Sequence, residues 1–172
     1  MRKQNVYAVL LLASFSIFCP SCHKEQPKEE AACTASKGHN STPCFNLNVV
    51  LHGARNQSGY IKFRQNPDSD KIITLETKVE HLNPNHEYLL QRAVDAINVV
   101  DGNCTSTSWL TLGKGLTPRS IFTDHKGNGQ EELWRDVTAI ATGSTFDIHF
   151  RVIDAVTMAV VLTSDCYQYT VR

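Results

Sequence analysis

What this chain lacks narrows it before anything present is considered. No stretch of its 172 residues shows a convincing helical period; residues 94–100 are the only candidate, and they are short. That argues against a helical bundle and against alternating strand–helix units. An excess of one charge is also missing, since 17 basic residues face 17 acidic ones. Nothing therefore predicts nucleic-acid binding or electrostatic docking on a membrane. No Cys-x-x-Cys follows Cys22, which excludes a zinc knuckle and a thioredoxin-type site. No Ser-His-Asp order, no pair of buried carboxylates and no glycine-rich phosphate loop can be argued from spacing. There are no repeats, and the only biased segment is the charged, aperiodic stretch 23–32, which reads as a tether.

What is present begins with an address. Met1-Arg-Lys3 is basic, and residues 6–18 form an apolar run broken only by small polar residues. The run is too short to span a bilayer as a helix but suits a secretory signal. It ends at Phe18-Cys-Pro-Ser-Cys22, where a small residue just before a cysteine resembles the lipobox of bacterial lipoproteins. Cys19 departs from the aliphatic residue which that motif prefers. The resemblance implies that Cys22 is lipidated and becomes the new N-terminus, so that one partner is a membrane, reached through the lipid. It implies a cell-envelope location, as an outer-membrane or cell-surface lipoprotein facing periplasm or exterior. The alternative is an ordinary signal peptide cut nearby. The expected organisation is a signal peptide over 1–21, a tether and short disulfide loop over 22–43, and one domain over 44–172, long enough to bury a core.

Cys33, Cys44, Cys104 and Cys166 remain, an even number in an oxidising compartment. Four cysteines allow three pairings. Cys33 and Cys44 are close in sequence and flank a polar loop, and their pairing leaves Cys104 with Cys166.

Along the domain the hydrophobic period is two. Phe45, Leu47, Val49 and Leu51 alternate with polar residues, as do Ile61 and Phe63, then Ile73, Leu75 and Val79, then Tyr88, Leu90 and Val94. A long loop is expected over 97–118, interrupted by the apolar pair Trp109-Leu110. Residues 121–124 read as a strand, 125–129 as a hairpin loop whose glycines can take positive φ, and Leu133 and Val137 lie on the strand after it. Phe146, Ile148, Phe150 and Val152 alternate most cleanly of all, and residues 157–162 and 167–171 close the chain. Seven or eight strands joined by turns predict an all-β antiparallel sandwich or barrel.

The order of short motifs resembles the copper/zinc superoxide dismutases. Gly59-Tyr-Ile-Lys-Phe-Arg-Gln65 is similar to that family's Gly-x-Ile-x-Phe-x-Gln strand. Val79-Glu-His-Leu-Asn-Pro-Asn-His-Glu-Tyr88 looks like its next turn and strand, and Asp101-Gly-Asn-Cys-Thr-Ser106 like its disulfide loop. Phe122-Thr-Asp-His-Lys-Gly127 resembles its Thr-x-Asp-x-x-Gly hairpin, and Gly143-Ser-Thr-Phe-Asp-Ile-His149 a strand bearing a metal histidine. Cys166 falls where the second bridge cysteine falls. The resemblance implies an eight-stranded Greek-key barrel.

The family's chemistry is what the sequence departs from. Leu89 and Gln91 stand at the positions of the paired copper histidines, and residues 105–122 hold no histidine, aspartate, glutamate or cysteine from which to build a zinc site. Only His149 matches a copper ligand, and copper wants several imidazoles. His149 reads as a solvent-facing member of a polar cross-strand cluster with Asp147 and Arg151; the alternative is a retained copper ligand completed by His86 or His81. His81 and His86 read as polar residues at the edges of the Asn83-Pro-Asn85 turn. Trp109 and Leu110 either fill the space that metals would occupy or form an exposed patch for a partner, and filling is favoured. The expectation is a non-catalytic domain with no cofactor, in a binding or structural role, with a divergent copper-dependent dismutase as the alternative. The sequence names no protein partner and no oligomeric state.

Overall fold

A computed structural model describes residues 44–172. The expected lipidation at Cys22, and Cys33 with its expected bridge to Cys44, lie outside the described residues. Cys44 has no disulfide partner among the described residues.

The period-two pattern becomes twelve strands, with no helix among the described residues. Four long strands come first: β1 (Phe45–Gly53), β2 (Ser58–Gln65), β3 (Ile72–Glu80) and β4 (Glu87–Val94). Three two-residue strands, β5 (Leu110–Thr111), β6 (Gly113–Lys114) and β7 (Thr117–Pro118), lie in the stretch expected to be a loop. Then follow β8 (Ser120–Phe122), β9 (Gly129–Asp136), β10 (Thr145–Asp154), β11 (Val160–Ser164) and β12 (Tyr167–Thr170).

The candidate helix at 94–100 does not form. Its backbone N–H groups are used across the chain instead: Asp95 N–H donates to Asp147 O and Asn98 N–H to Thr145 O, so the segment tracks the start of β10. The strand expected from Thr157 begins only at Val160. The Asp154 carboxylate accepts the N–H groups of Val156 and Thr157, and this Asx-type turn holds residues 155–158 out of the sheet.

The sheet is nearly closed and barrel-like. β1, β2, β3 and β9 pair antiparallel in succession. On the other side β10 pairs with β4 along one edge, and with β12 and then β11 along the other. β11 returns to β1. Between β4 and β9 the gap is spanned by β8, which pairs with β4 and turns into β9 through a bridge between Thr123 and Gly129.

Alternation then decides the core. Gly59, Ile61, Phe63 and Gln65 of β2 point inward and are buried, while Tyr60, Lys62 and Arg64 are half-exposed. Phe45, Phe63 and Tyr169 meet edge to face, with centroids 4.9–5.6 Å apart, and Phe150 approaches Phe63 at 6.3 Å. Each such side chain removed from water contributes on the order of 2 kcal/mol before conformational entropy is set against it. The one buried amide in this cluster is satisfied: Gln65 Oε1 accepts from Tyr169 Oη at 2.7 Å and from Arg172 N–H at 2.8 Å, which ties the C-terminus to β2. Burial raises the Tyr169 phenol far above its usual range, so it stays a donor.

The hairpin between β8 and β9 needs its glycine. Gly127 sits at φ +80°, and a Cβ there would lie 2.1 Å from the Leu82 carbonyl oxygen. Its own carbonyl accepts Leu82 N–H at 3.0 Å, so the loop is pressed onto the β3–β4 turn.

Candidate functional site

The face of the barrel formed by β4 and β10 is covered by the chain from Asp95 to Leu112, and the cover is stitched at four points. Cys104 is bonded to Cys166, with Cα atoms 5.4 Å apart and a separation of 62 residues. Asp147 is buried, and one oxygen accepts the N–H groups of Asp101 and Gly102 at 2.9 and 2.8 Å. Asp95 accepts Thr105 N–H at 2.9 Å, Ser106 N–H at 2.8 Å and the Thr105 hydroxyl. The backbone N–H of Thr105, then that of Ser106, holds the Asp95 carboxyl below the usual carboxylate range. The fourth point is His149, whose Nε2 lies 3.0 Å from the Ser106 carbonyl oxygen. A carbonyl only accepts, so Nε2 carries the proton and donates.

This corrects the expected cluster of Asp147, His149 and Arg151. Asp147 serves the loop backbone from a buried position and does not share a solvent-facing patch with the other two. His149 and Arg151 are joined by an aromatic ring instead. Trp109 lies with its centroid 4.6 Å from the His149 ring and 4.0 Å from Arg151 Cζ. It is half-buried. Arg151 Nε donates to Gln91 Oε1 at 2.7 Å, and Gln91 Nε2 donates to Thr111 Oγ1 at 3.0 Å. The register puts Gln91 opposite Arg151 and Ala93 opposite His149, so all these groups share the covered face. The sequence placed Gln91 at an empty ligand position; the structure gives it a mechanical task, linking β4, β10 and β5.

His86 is the residue most underestimated from sequence. Its Nε2 is 2.7 Å from Asp154 Oδ2, while Asp154 Oδ1 takes the turn N–H groups of Val156 and Thr157. The Thr157 N–H, then the Val156 N–H and His86, hold the Asp154 carboxyl at about 2. The His86 ring also lies 5.1 Å from that of Tyr88. Burial raises the Tyr88 phenol above its ordinary range, and its oxygen accepts Asn83 N–H at 3.0 Å. An aspartate followed by small and β-branched residues is a turn signal that could have flagged Asp154. His81 is exposed at φ +59°, where its backbone makes the β3–β4 turn.

The three candidate histidines are not brought to one point. His149 and Asp154 are five residues apart on β10, which at about 3.3 Å per residue separates them by roughly 16 Å. His86 is bound at the Asp154 end and His149 at the Ser106 end. Two imidazoles sharing one metal ion at about 2 Å each cannot be so far apart. Among the described residues no three His, Cys, Asp or Glu side chains are grouped as metal ligands. His86 and His149 therefore do not complete one metal site between them.

A different kind of site lies at the end of the barrel. Apolar side chains there leave a hollow of about 50 Å³, edged by Arg92 from β4 and Arg135 from β9. Both arginines fall at inward positions of the alternation, Arg92 after Tyr88 and Leu90, Arg135 after Leu133. Compared with known proteins, the chain matches no family model, no curated protein and no solved structure.

Proposed function

We propose that this chain is a cell-envelope lipoprotein, anchored through Cys22, whose domain is a superoxide dismutase-like Greek-key barrel that has given up metal catalysis for a binding or structural role. The observation that carries the reading is the engagement of the covered face. His149 donates to Ser106 O, Trp109 lies against its ring, and Gln91 is held between Arg151 and Thr111. Of the three positions that the resemblance matches to copper ligands, His149 and Gln91 are held by contacts that close the face, and Leu89 offers no lone pair. The strand path supports the barrel type. β3 pairs with β9 while β4 pairs with β8 and β10, so the β3–β4 connection crosses the barrel as a Greek key requires.

The test uses the full chain purified from membranes. Metal analysis before and after incubation with copper is expected to give substoichiometric copper and zinc, and superoxide consumption no faster than buffer. His149→Gln should leave both unchanged. Stoichiometric copper lost on His149→Gln, with superoxide consumed by the wild type, would overturn the reading in favour of a rebuilt dismutase. For the anchor, mass spectrometry should find acyl groups on Cys22, and Cys22→Ala should release the protein from membranes, because lipid chains supply its hold there. An unmodified mature N-terminus elsewhere would refute the anchor.

A further inference from the structure

The unusual chemistry in this molecule is at the barrel end. Two half-buried guanidinium groups stand at inward positions that alternation reserves for apolar side chains, and charged groups are seldom drawn towards a core without partners. Among the described residues Arg135 makes one hydrogen bond, donating to the Gly115 carbonyl at 3.3 Å. Arg92 has no hydrogen-bond or ion-pair partner among the described residues. Burial pulls its pKa down, and Arg135 beside it pulls in the same direction, so two like charges share the rim with no counter-ion between them among the described residues. A third cation stands nearby: Lys71 Nζ donates to the carbonyl of Ile140, which also lines the rim. The nearest acid in sequence, Asp136, is exposed, and its carboxylate accepts Thr138 N–H at 2.7 Å. Below the arginines the wall is Phe63, Leu75, Leu112, Phe146, Ile148 and Phe150.

A mostly apolar hollow with a few convergent charged donors is the ordinary form of a small-ligand site. Guanidinium forks match the oxygens of carboxylates and phosphates, and the apolar wall below them suits an anion that carries a hydrocarbon body. The hollow is small: about 50 Å³, where about 10–15 Å³ on the same measure holds one water. It takes a few carbon atoms and no long acyl chain. We propose that the barrel end binds a small free monocarboxylate with a short hydrocarbon body, its carboxylate between Arg92 and Arg135 and its carbons against Leu112 and Phe150. This specifies the binding role proposed above and rests on it.

The test is titration of the full chain in detergent at fixed ionic strength, followed by calorimetry and by NMR of the Leu112 and Ile148 methyl groups. The probes are butyrate, its uncharged isostere butyramide, and octanoate. Butyrate should shift those methyls and raise Tm. Butyramide should bind about 10- to 100-fold more weakly, the loss expected when a charge-assisted hydrogen bond is removed. Octanoate should gain nothing over butyrate, because the hollow ends. Arg92→Met should abolish the butyrate response while leaving Tm unchanged or higher, since it removes a charge that has no partner among the described residues. Should that variant not fold, Arg135→Gln must weaken butyrate binding by a similar factor. Equal binding of butyrate and butyramide, no methyl shift with butyrate, or a butyrate response unchanged in the folded variant would each overturn the site. Copper analysis of the same preparation separates the two proposals. Silent methyls in a copper-free protein refute the carboxylate site alone, whereas bound copper refutes the metal-free reading whatever butyrate does.

Discussion

Cutting the Cys104–Cys166 bridge should destabilise the domain without dismantling the covered face. The bridge closes a span of 62 residues. On the chain-entropy account, a loop of that length restricts the unfolded chain by about 14 cal/mol/K, or about 4 kcal/mol at 25 °C. In the folded state the loss is softened, because Asp147 and Asp95 hold the same loop through four backbone N–H bonds of 2.8–2.9 Å. The effect should therefore fall mainly on the unfolded chain. The variant is the double change Cys104→Ser with Cys166→Ser, which avoids an orphan thiol able to exchange with another cysteine. Urea unfolding should show a loss of about 3–4 kcal/mol, a large fraction of the stability of a domain this size, and Tm should drop by roughly 10–20 °C. Native-state NMR should still show His149 Nε2–H protected by the Ser106 carbonyl. A loss below about 1 kcal/mol would refute the entropic account. A native state in which His149 loses that protection would refute the claim that the two carboxylates hold the loop.

Two further outcomes follow from particular contacts. Gly127→Ala should cost about 2 kcal/mol or more, because it adds a left-handed penalty to a collision with the Leu82 carbonyl, measurable as a lower urea midpoint; a neutral result would mean that the hairpin does not press on the β3–β4 turn. Asp154 is held at about 2 in the fold, below its unfolded value of about 3.9, so its contribution is complete above about pH 5 and is lost as pH falls towards 2. The stability difference between wild type and Asp154→Asn should therefore shrink steadily from pH 5 to pH 2, and a difference independent of pH would show that the carboxylate charge is not what holds the 155–158 turn.

Much of the barrel was legible because a half-buried strand writes its face into every second residue. β2, β3 and the middle of β10 could be read from Ile61 and Phe63, Leu75, and Phe150 and Val152 alone. The pattern failed where side-chain-to-backbone bonds override it. Asp154 captures two N–H groups and delays β11 by three residues, and β10 draws the N–H groups of Asp95 and Asn98 away from any helix. Neither effect has a period. The bridge was legible from cysteine parity and spacing. The inward turn of Arg92 was also written in the alternation after Tyr88 and Leu90, but an arginine near a strand end is read by default as reaching back to water. Only the convergence of β4 and β9 reveals that it meets a second arginine.

The covered face and the barrel end answer the same physical problem in opposite ways. On the face, the groups that stitch the cover down find partners of opposite character: carboxylate with N–H, imidazole N–H with carbonyl, guanidinium with amide oxygen and indole ring. A surface so satisfied has little left with which to bind anything, and mutating it should register as stability. At the barrel end two cations are brought together over an apolar floor, and among the described residues only Arg135 has a hydrogen-bond acceptor, the Gly115 carbonyl. That arrangement lowers the stability of the free protein and recovers it when an anion enters, since unpaired charge in a low-dielectric setting is costly and a paired, hydrogen-bonded one is not. The polar network that resembles an active site is thus the structural element of this molecule. The place to seek its ligand is the end of the barrel where the sequence put charge in positions meant for hydrocarbon.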